Sequence, residues 1–294
     1  MPRKDNRFFL HDVMFKIVFG SQDSEAPLRA MLNALLDRHG PDRIEKVQFL
    51  NPGLDKNHIE ERGAFLDVRV EDERRRQYNL EVQICRDPFF VERTLYYDSR
   101  LYGDQLVKSE GFDHLSPTVL IGLLGFIAFP RNKELHSSFS LRNDKTGARL
   151  TDHLTLHYFE LPRLGKVPPT TVATPAEAWL AVLKFGHLYV PGVVPLPVEI
   201  MREEGVAMAI DKLKKARESR EARQWAEMYD KAERTRITNL SVARKEGLKE
   251  GIAQGERINA LATARRLIAR GDNNDAIADV TGLDTAEIEA LRKA

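Results

Sequence analysis

The sequence predicts an α/β fold, in which a mixed sheet is flanked by helices and followed by a helical C-terminal extension. Two runs of alternating apolar residues lie on either side of a charged turn at residues 72–76, which is typical of a half-buried hairpin. The nearly continuous apolar run at residues 119–129 is typical of a strand covered on both faces. Segments with helical spacing precede and follow the hairpin, giving the order α-β-β-β-α-β.

The remaining elements follow from apolar spacing and from turn residues. Thr174 is predicted to cap a helix whose first residue is Pro175. The expected helices are 11–19, 26–38, 90–107 and 175–185, and the expected strands outside the hairpin are 44–50, 119–129, 139–142 and 154–161.

The hairpin carries the first functional hypothesis. If its turn centres on Arg74, Val68 faces Leu80 on the apolar side and Asp67 faces Glu81 on the other side. Side chains opposed across two strands lie roughly 5 Å apart, so two carboxylates there suit a divalent cation. The alternative is a solvated sheet face, on which scattered acids are ordinary.

Composition limits the classes of function. The chain has 294 residues and a formal charge of +1, so a nucleic-acid site must be a local basic patch. Its single cysteine, Cys85, excludes an intramolecular disulfide, fits a reducing compartment and is expected to be buried. No secretory signal core is evident at the N-terminus, and the longest apolar run is shorter than the roughly 20 residues that span a bilayer. These features predict a cytoplasmic protein with no membrane partner.

Three regions are predicted along the chain: a catalytic-type domain at 1–190, a Pro-rich linker at 191–198 and a helical region at 199–294. Gly247, Gly251 and Gly255 would share one helix face, which suits either homo-oligomer formation through the C-terminal helices or a frayed tail.

The last residues have helix-turn-helix spacing around Gly282. Their acidic second helix is poorly suited to DNA, so a packing or assembly module is the alternative to a DNA reader.

Several of these motifs together resemble a known family. Asp67 followed by Glu81-x-Gln83 resembles the PD-(D/E)XK nuclease pattern, with Gln in place of the usual Lys. The segment 12–20, the pair Arg93-x3-Tyr97 and the C-terminal Glu-Gly repeats resemble the Rpn family of recombination-promoting nucleases, also described as transposases. The resemblance covers roughly residues 8–190 in order and implies a restriction-endonuclease-like core.

The resemblance also implies a metal centre. Asp67 and Glu81 would bind Mg²⁺, with Mn²⁺ expected to substitute, and Gln83 would stand at the Lys position. Glutamine can only donate and accept hydrogen bonds, whereas lysine brings a charge. A bound metal lowers the pKa of its water without lysine, so hydrolysis remains chemically feasible.

Other residues are candidates for contacts around this centre. Asp12 is a possible third acid, or else forms a surface ion pair with Lys16 one turn later. DNA phosphate contacts are predicted for Arg93, Tyr97, Arg100 and Lys16.

The predicted function is that of an Mg²⁺-dependent DNA endonuclease, with a role in recombination or DNA mobilisation implied by the resemblance alone. One alternative is a non-catalytic DNA-binding or assembly protein that keeps the nuclease fold. Another is an RNA nuclease, because the metal site alone does not distinguish the two polymers.

Overall fold

The computed structural model describes residues 9–50, 68–106 and 109–293. The chain divides into two compact units, Met1–Asp230 and Lys231–Ala294. Among the described residues, no helix combines the length and the apolar character needed to cross a membrane.

One mixed sheet of six described strands forms the centre of the first unit. Its strand order is β1-β2-β3-β4-β6-β5, with β4 parallel to both β3 and β6 and the other neighbours antiparallel. The strands are β1 Val47–Phe49, β2 Val68–Asp72, β3 Gln77–Gln83, β4 Thr118–Leu124, β5 His136–Ser140 and β6 Leu154–Glu160. The predicted mixed sheet flanked by helices is therefore confirmed.

Helices surround this sheet and continue beyond it. Thr174 accepts a hydrogen bond from the Glu177 amide, as its predicted capping role requires. The described helices are α1 Asp12–Phe19, α2 Glu25–Leu35, α3 Phe90–Gly103, α4 Pro175–Tyr189, α5 Val198–Arg202, α6 Val206–Glu218, α7 Arg220–Arg270, α8 Asn274–Thr281 and α9 Thr285–Lys293.

The hairpin has the register that its alternating pattern predicts. Val68 pairs with Leu80 and Val70 pairs with Tyr78. The predicted pairing of Asp67 with Glu81 lies outside the described residues, because the description of β2 starts at Val68. Cys85, expected to be buried, is exposed because β3 ends at Gln83.

The two faces of the sheet are covered by different helices. The apolar side of the hairpin joins the main core, which also contains buried residues of α1, α2, α4 and α6. On the other face, Leu120, Leu156 and Tyr158 pack with Phe90 of α3. Since successive side chains of a strand alternate, Glu81 and Gln83 lie on the α3 side of β3.

The first compact unit extends past the Pro-rich segment at 191–198, so the boundary expected near residue 190 is not where the chain divides. The physical reason is the apolar face of α5 and α6, whose Ile200, Val206 and Leu213 are buried in the main core. Gly205, with φ 78, turns the chain into α6 where a Cβ would lie 2.8 Å from that of Ala30.

The second unit has a small core of its own. Ala264, Ile277, Leu283 and Ile288 are buried together, and Gly282 adopts φ 68 between α8 and α9. These buried residues and the turn at Gly282 fit the predicted helix-turn-helix spacing. A DNA-reading role for this segment stays a prediction.

Candidate active site

The structure brings three of the predicted site residues together at the end of β3. One nitrogen of Arg93, Nη2, donates to Glu81 Oε1 at 2.7 Å and to Gln83 Oε1 at 2.5 Å. The other, Nη1, donates to Asp87 Oδ2 at 3.0 Å. A single guanidinium on α3 therefore connects both residues of the Glu-x-Gln pattern.

Partial burial strengthens these contacts without closing the site to solvent. The side chains of Glu81 and Arg93 are 14% and 27% exposed. The Gln83 amide nitrogen donates to the Cys85 carbonyl at 2.8 Å, which directs the amide oxygen toward Arg93. Gln83 is thus held as a hydrogen-bond acceptor at the position where the family pattern has lysine.

A tyrosine lies across the sheet from Glu81 in the same cross-strand row. Glu81 pairs with Gly122 of β4, which pairs with Tyr158 of β6. Gly122 leaves room for the tyrosine, because a Cβ there would lie 2.8 Å from the Tyr158 ring. Burial and the nearby carboxylates of Asp98 and Glu81 raise the pKa of Tyr158 to about 12.

The Tyr158 hydroxyl is anchored to α3. It lies 2.7 Å from Thr94 Oγ1, and Thr94 donates its own proton to the Val91 carbonyl at 2.9 Å. Tyr158 must then be the donor in its bond to Thr94, since a hydroxyl has one proton.

Asp98, one turn further along α3, is an acid that the sequence analysis missed. The residue is 2% exposed, and burial raises the pKa of its carboxyl to about 7. A signal was present, because Phe90, Thr94, Asp98 and Leu101 follow the spacing of one helix face and are all buried.

The other predicted contacts occupy different positions. Asp12 accepts a hydrogen bond from the Tyr229 hydroxyl, and Lys16 is only 4% exposed. Both lie on α1, whose buried side belongs to the core on the face of the sheet opposite α3. The burial of Lys16 weighs against a phosphate contact in this conformation.

Along α3, Tyr97 is half-buried with its ring centroid 5.5 Å from that of Tyr96, and exposed Arg100 pairs with Asp104 at 3.3 Å. Gln105, which follows the end of α3, has a structural role. Its side chain bonds both the amide and the carbonyl of Ser116, which ties the end of α3 to the approach to β4.

The donor atoms suit a hard divalent cation. Glu81 supplies one carboxylate, and all the nearby acceptors are oxygens, which Mg²⁺ and Mn²⁺ prefer. Asn79 Oδ1 and Asp98 Oδ1 are buried and have no hydrogen-bond partner among the described residues. Within residues 9–50, 68–106 and 109–293, no three or more His, Cys, Asp or Glu side chains group to hold a metal. Asp67, the predicted second ligand, lies outside those residues.

The strand order and the Glu-x-Gln pattern on a central strand are consistent with a nuclease-type α/β fold. A model of the PD-(D/E)XK nuclease family transposases matches residues 9–243, most of the chain. The chain belongs to this family. No curated protein and no solved structure matches it.

PD-(D/E)XK nucleases typically use divalent metal ions, and membership of this family suggests a hydrolase that acts on phosphodiester bonds. The match continues through α5 and α6 into α7, in agreement with the extent of the main core.

Proposed function

We propose that the protein is an Mg²⁺-dependent DNA endonuclease that acts in recombination or DNA mobilisation. The observation that carries this proposal is the convergence of Glu81, Gln83 and Arg93 at the end of β3 in a chain of the nuclease family.

Asp67 and Glu81 would hold the ion. Support comes from the hairpin register, which matches the predicted one as far as Val68 opposite Leu80. A bound Mg²⁺ or Mn²⁺ would lower the pKa of an attacking water and stabilise charge on the phosphate.

Arg93 would exchange a carboxylate for a phosphate when DNA binds. Its buried Nε has no acceptor among the described residues, so it could donate to a phosphate oxygen once Arg93 leaves Glu81. Guanidinium geometry matches phosphate as well as carboxylate. Release from Arg93 would also leave the Gln83 amide oxygen free to accept a hydrogen bond from the attacking water and orient it.

Contacts with the flanking DNA are proposed for the exposed side of α3. Arg100 and the hydroxyl of Tyr97 would bind phosphates next to the scissile one. The roles predicted for Asp12 and Lys16 stay predictions, as does self-association through α7, where Leu248 and Ile252 are exposed beside Gly247 and Gly251.

The test is plasmid cleavage by the full chain with Mg²⁺, Mn²⁺ or EDTA. Asp67→Ala and Glu81→Gln are each expected to reduce cleavage by roughly 1000-fold or more, because a metal contributes several kcal/mol to the transition state. Glu71→Gln is the matched control, since Glu71 lies on the same hairpin and bonds Gln77 near the turn. Undiminished cleavage by folded Asp67→Ala or Glu81→Gln protein would refute the proposal.

A second candidate is a non-catalytic DNA-binding or assembly protein. The specific observation in its favour is that Arg93 already neutralises Glu81, with Gln83 in place of a catalytic lysine. Such a protein would retain DNA in EDTA and leave it intact with either metal. Parallel DNA and RNA substrates in the same assay would identify an RNA nuclease.

A further inference from the structure

The layer between the sheet and α3 contains a carboxyl group that the fold alone does not explain. Asp98 and Asn79 are each 2% exposed. The Oδ1 atom of each has no hydrogen-bond partner among the described residues. Buried polar oxygens are nearly always hydrogen-bonded, because leaving one unsatisfied costs about 1–3 kcal/mol.

Other buried acids of the same sheet are satisfied. Glu160, fully buried at the end of β6, accepts from the amides of Ala128 and Phe129 and from Arg163. The unsatisfied oxygen of Asp98 is therefore not a general property of acids in this fold.

Asp98 lies in the same layer as Glu81. Thr94, one turn before Asp98, bonds Tyr158, and Tyr158 stands in the cross-strand row of Glu81. Both carboxylates are close enough to Tyr158 for their charges to raise its pKa. Asn79 precedes Glu81 by two residues and so projects from the same face of β3.

We propose that Asp98 is a positioning residue of the Glu81 metal site, where it and Asn79 accept hydrogen bonds from the water shell of the bound divalent ion. The inference rests on the proposed function, since it requires an ion at Glu81. Mg²⁺ dehydrates reluctantly and keeps several waters, which need acceptors at some distance from the ion itself. The negative charge of Asp98 would also attract the ion.

The experiment measures the affinity of the full chain for Mn²⁺ alone, by isothermal titration calorimetry near neutral pH. Asp98→Leu, which has a similar size but no oxygen to accept a hydrogen bond, is expected to weaken binding about 10-fold or more, the usual effect of removing an outer partner of a metal site. Glu81→Gln should abolish binding. Asp104→Leu is the matched control, because Asp104 is an exposed acid at the end of the same helix, and it should leave the affinity unchanged.

The outcomes separate the inference from the function on which it rests. Unchanged affinity in folded Asp98→Leu protein, with binding lost in Glu81→Gln, overturns the role of Asp98 and leaves the nuclease proposal standing. An absence of Mn²⁺ binding by the unmodified chain overturns both.

A second measurement does not depend on a variant folding. In crystals of the unmodified protein soaked with Mn²⁺, anomalous scattering would locate the ion. An ion at Glu81 joined to Asp98 by a bridging water supports the inference, and an ion there with no such bridge overturns it.

Discussion

The two ends of the β2–β3 hairpin each carry a carboxylate paired with an arginine, but the two pairs are built differently. At the turn, Asp72 accepts from the amides of Arg74 and Arg76, from Arg76 Nε and from the Tyr78 hydroxyl. All these donors lie within six residues of Asp72, and its side chain is 0% exposed. The turn cluster is thus closed and local.

At the other end, Glu81 shares Arg93 with Gln83 and Asp87. The arginine comes from a helix twelve residues away and stays partly accessible to solvent. Asp98 and Asn79 add buried oxygens without partners among the described residues. A carboxylate–arginine pair therefore stabilises the hairpin where every carboxylate oxygen is satisfied, and it suits ligand binding where acceptors are left over.

The largest expected effect concerns the closed end. Asp72→Ala should lower the free energy of unfolding by about 3 kcal/mol, because it leaves Arg76 Nε and the Tyr78 hydroxyl without their acceptor, while Arg76 Nη1 keeps its bond to Asp42. Urea unfolding measures the change. Mn²⁺ affinity, corrected for the folded fraction, should stay that of the unmodified chain. A loss of metal affinity in folded Asp72→Ala protein would contradict the separation of the two ends.

The next effect concerns the open end. Arg93→Gln removes a cation that competes with a metal for Glu81, so Mn²⁺ affinity should rise about 10-fold. Cleavage of DNA should nevertheless fall about 100-fold, because the phosphate loses a charged donor worth about 1.5–3 kcal/mol. Calorimetry and plasmid cleavage measure the two effects.

Arg100→Gln provides the control for the metal affinity, since Arg100 is exposed and pairs with Asp104 rather than Glu81. Equal Mn²⁺ affinity in the Arg93 variant and the unmodified chain would show that Arg93 does not compete for the site.

The sequence was sufficient to predict the hairpin and its register. Alternation with period two determines which side of a strand faces the core, and a slip of one residue would expose Val68, Val70 and Leu80. The same pattern placed Glu81 and Gln83 on one face, because they are two residues apart.

The contacts of α3 with that face could not be predicted to the same degree. Which acceptors Arg93 reaches depends on the rotation and height of α3 over the sheet, which local spacing does not determine. The role of Asp98 depends in addition on Gly122 and Tyr158, from two strands further along the chain. The extent of the first unit was missed for a related reason, since the Pro-rich segment resembles a linker although α5 and α6 pack into the core.

A change spread over several pH units tests the unsatisfied carboxyl through the pH dependence of stability. Burial raises the pKa of folded Asp98 to about 7 from the ordinary 3.8. Between these values the folded state holds a proton that the unfolded state has released. Stability is therefore full below the unfolded pKa and falls as pH rises toward 7, by about 1.4 kcal/mol per pH unit.

Asp98→Asn cannot titrate and should lack this loss, so its stability relative to that of the unmodified chain should increase through this range and level off above it. Urea midpoints measured across the range, with Asp104→Asn as the exposed control, check the prediction. Parallel pH profiles for the unmodified chain and the Asp98 variant would mean that Asp98 is satisfied in the folded protein, and the contrast with Asp72 would disappear.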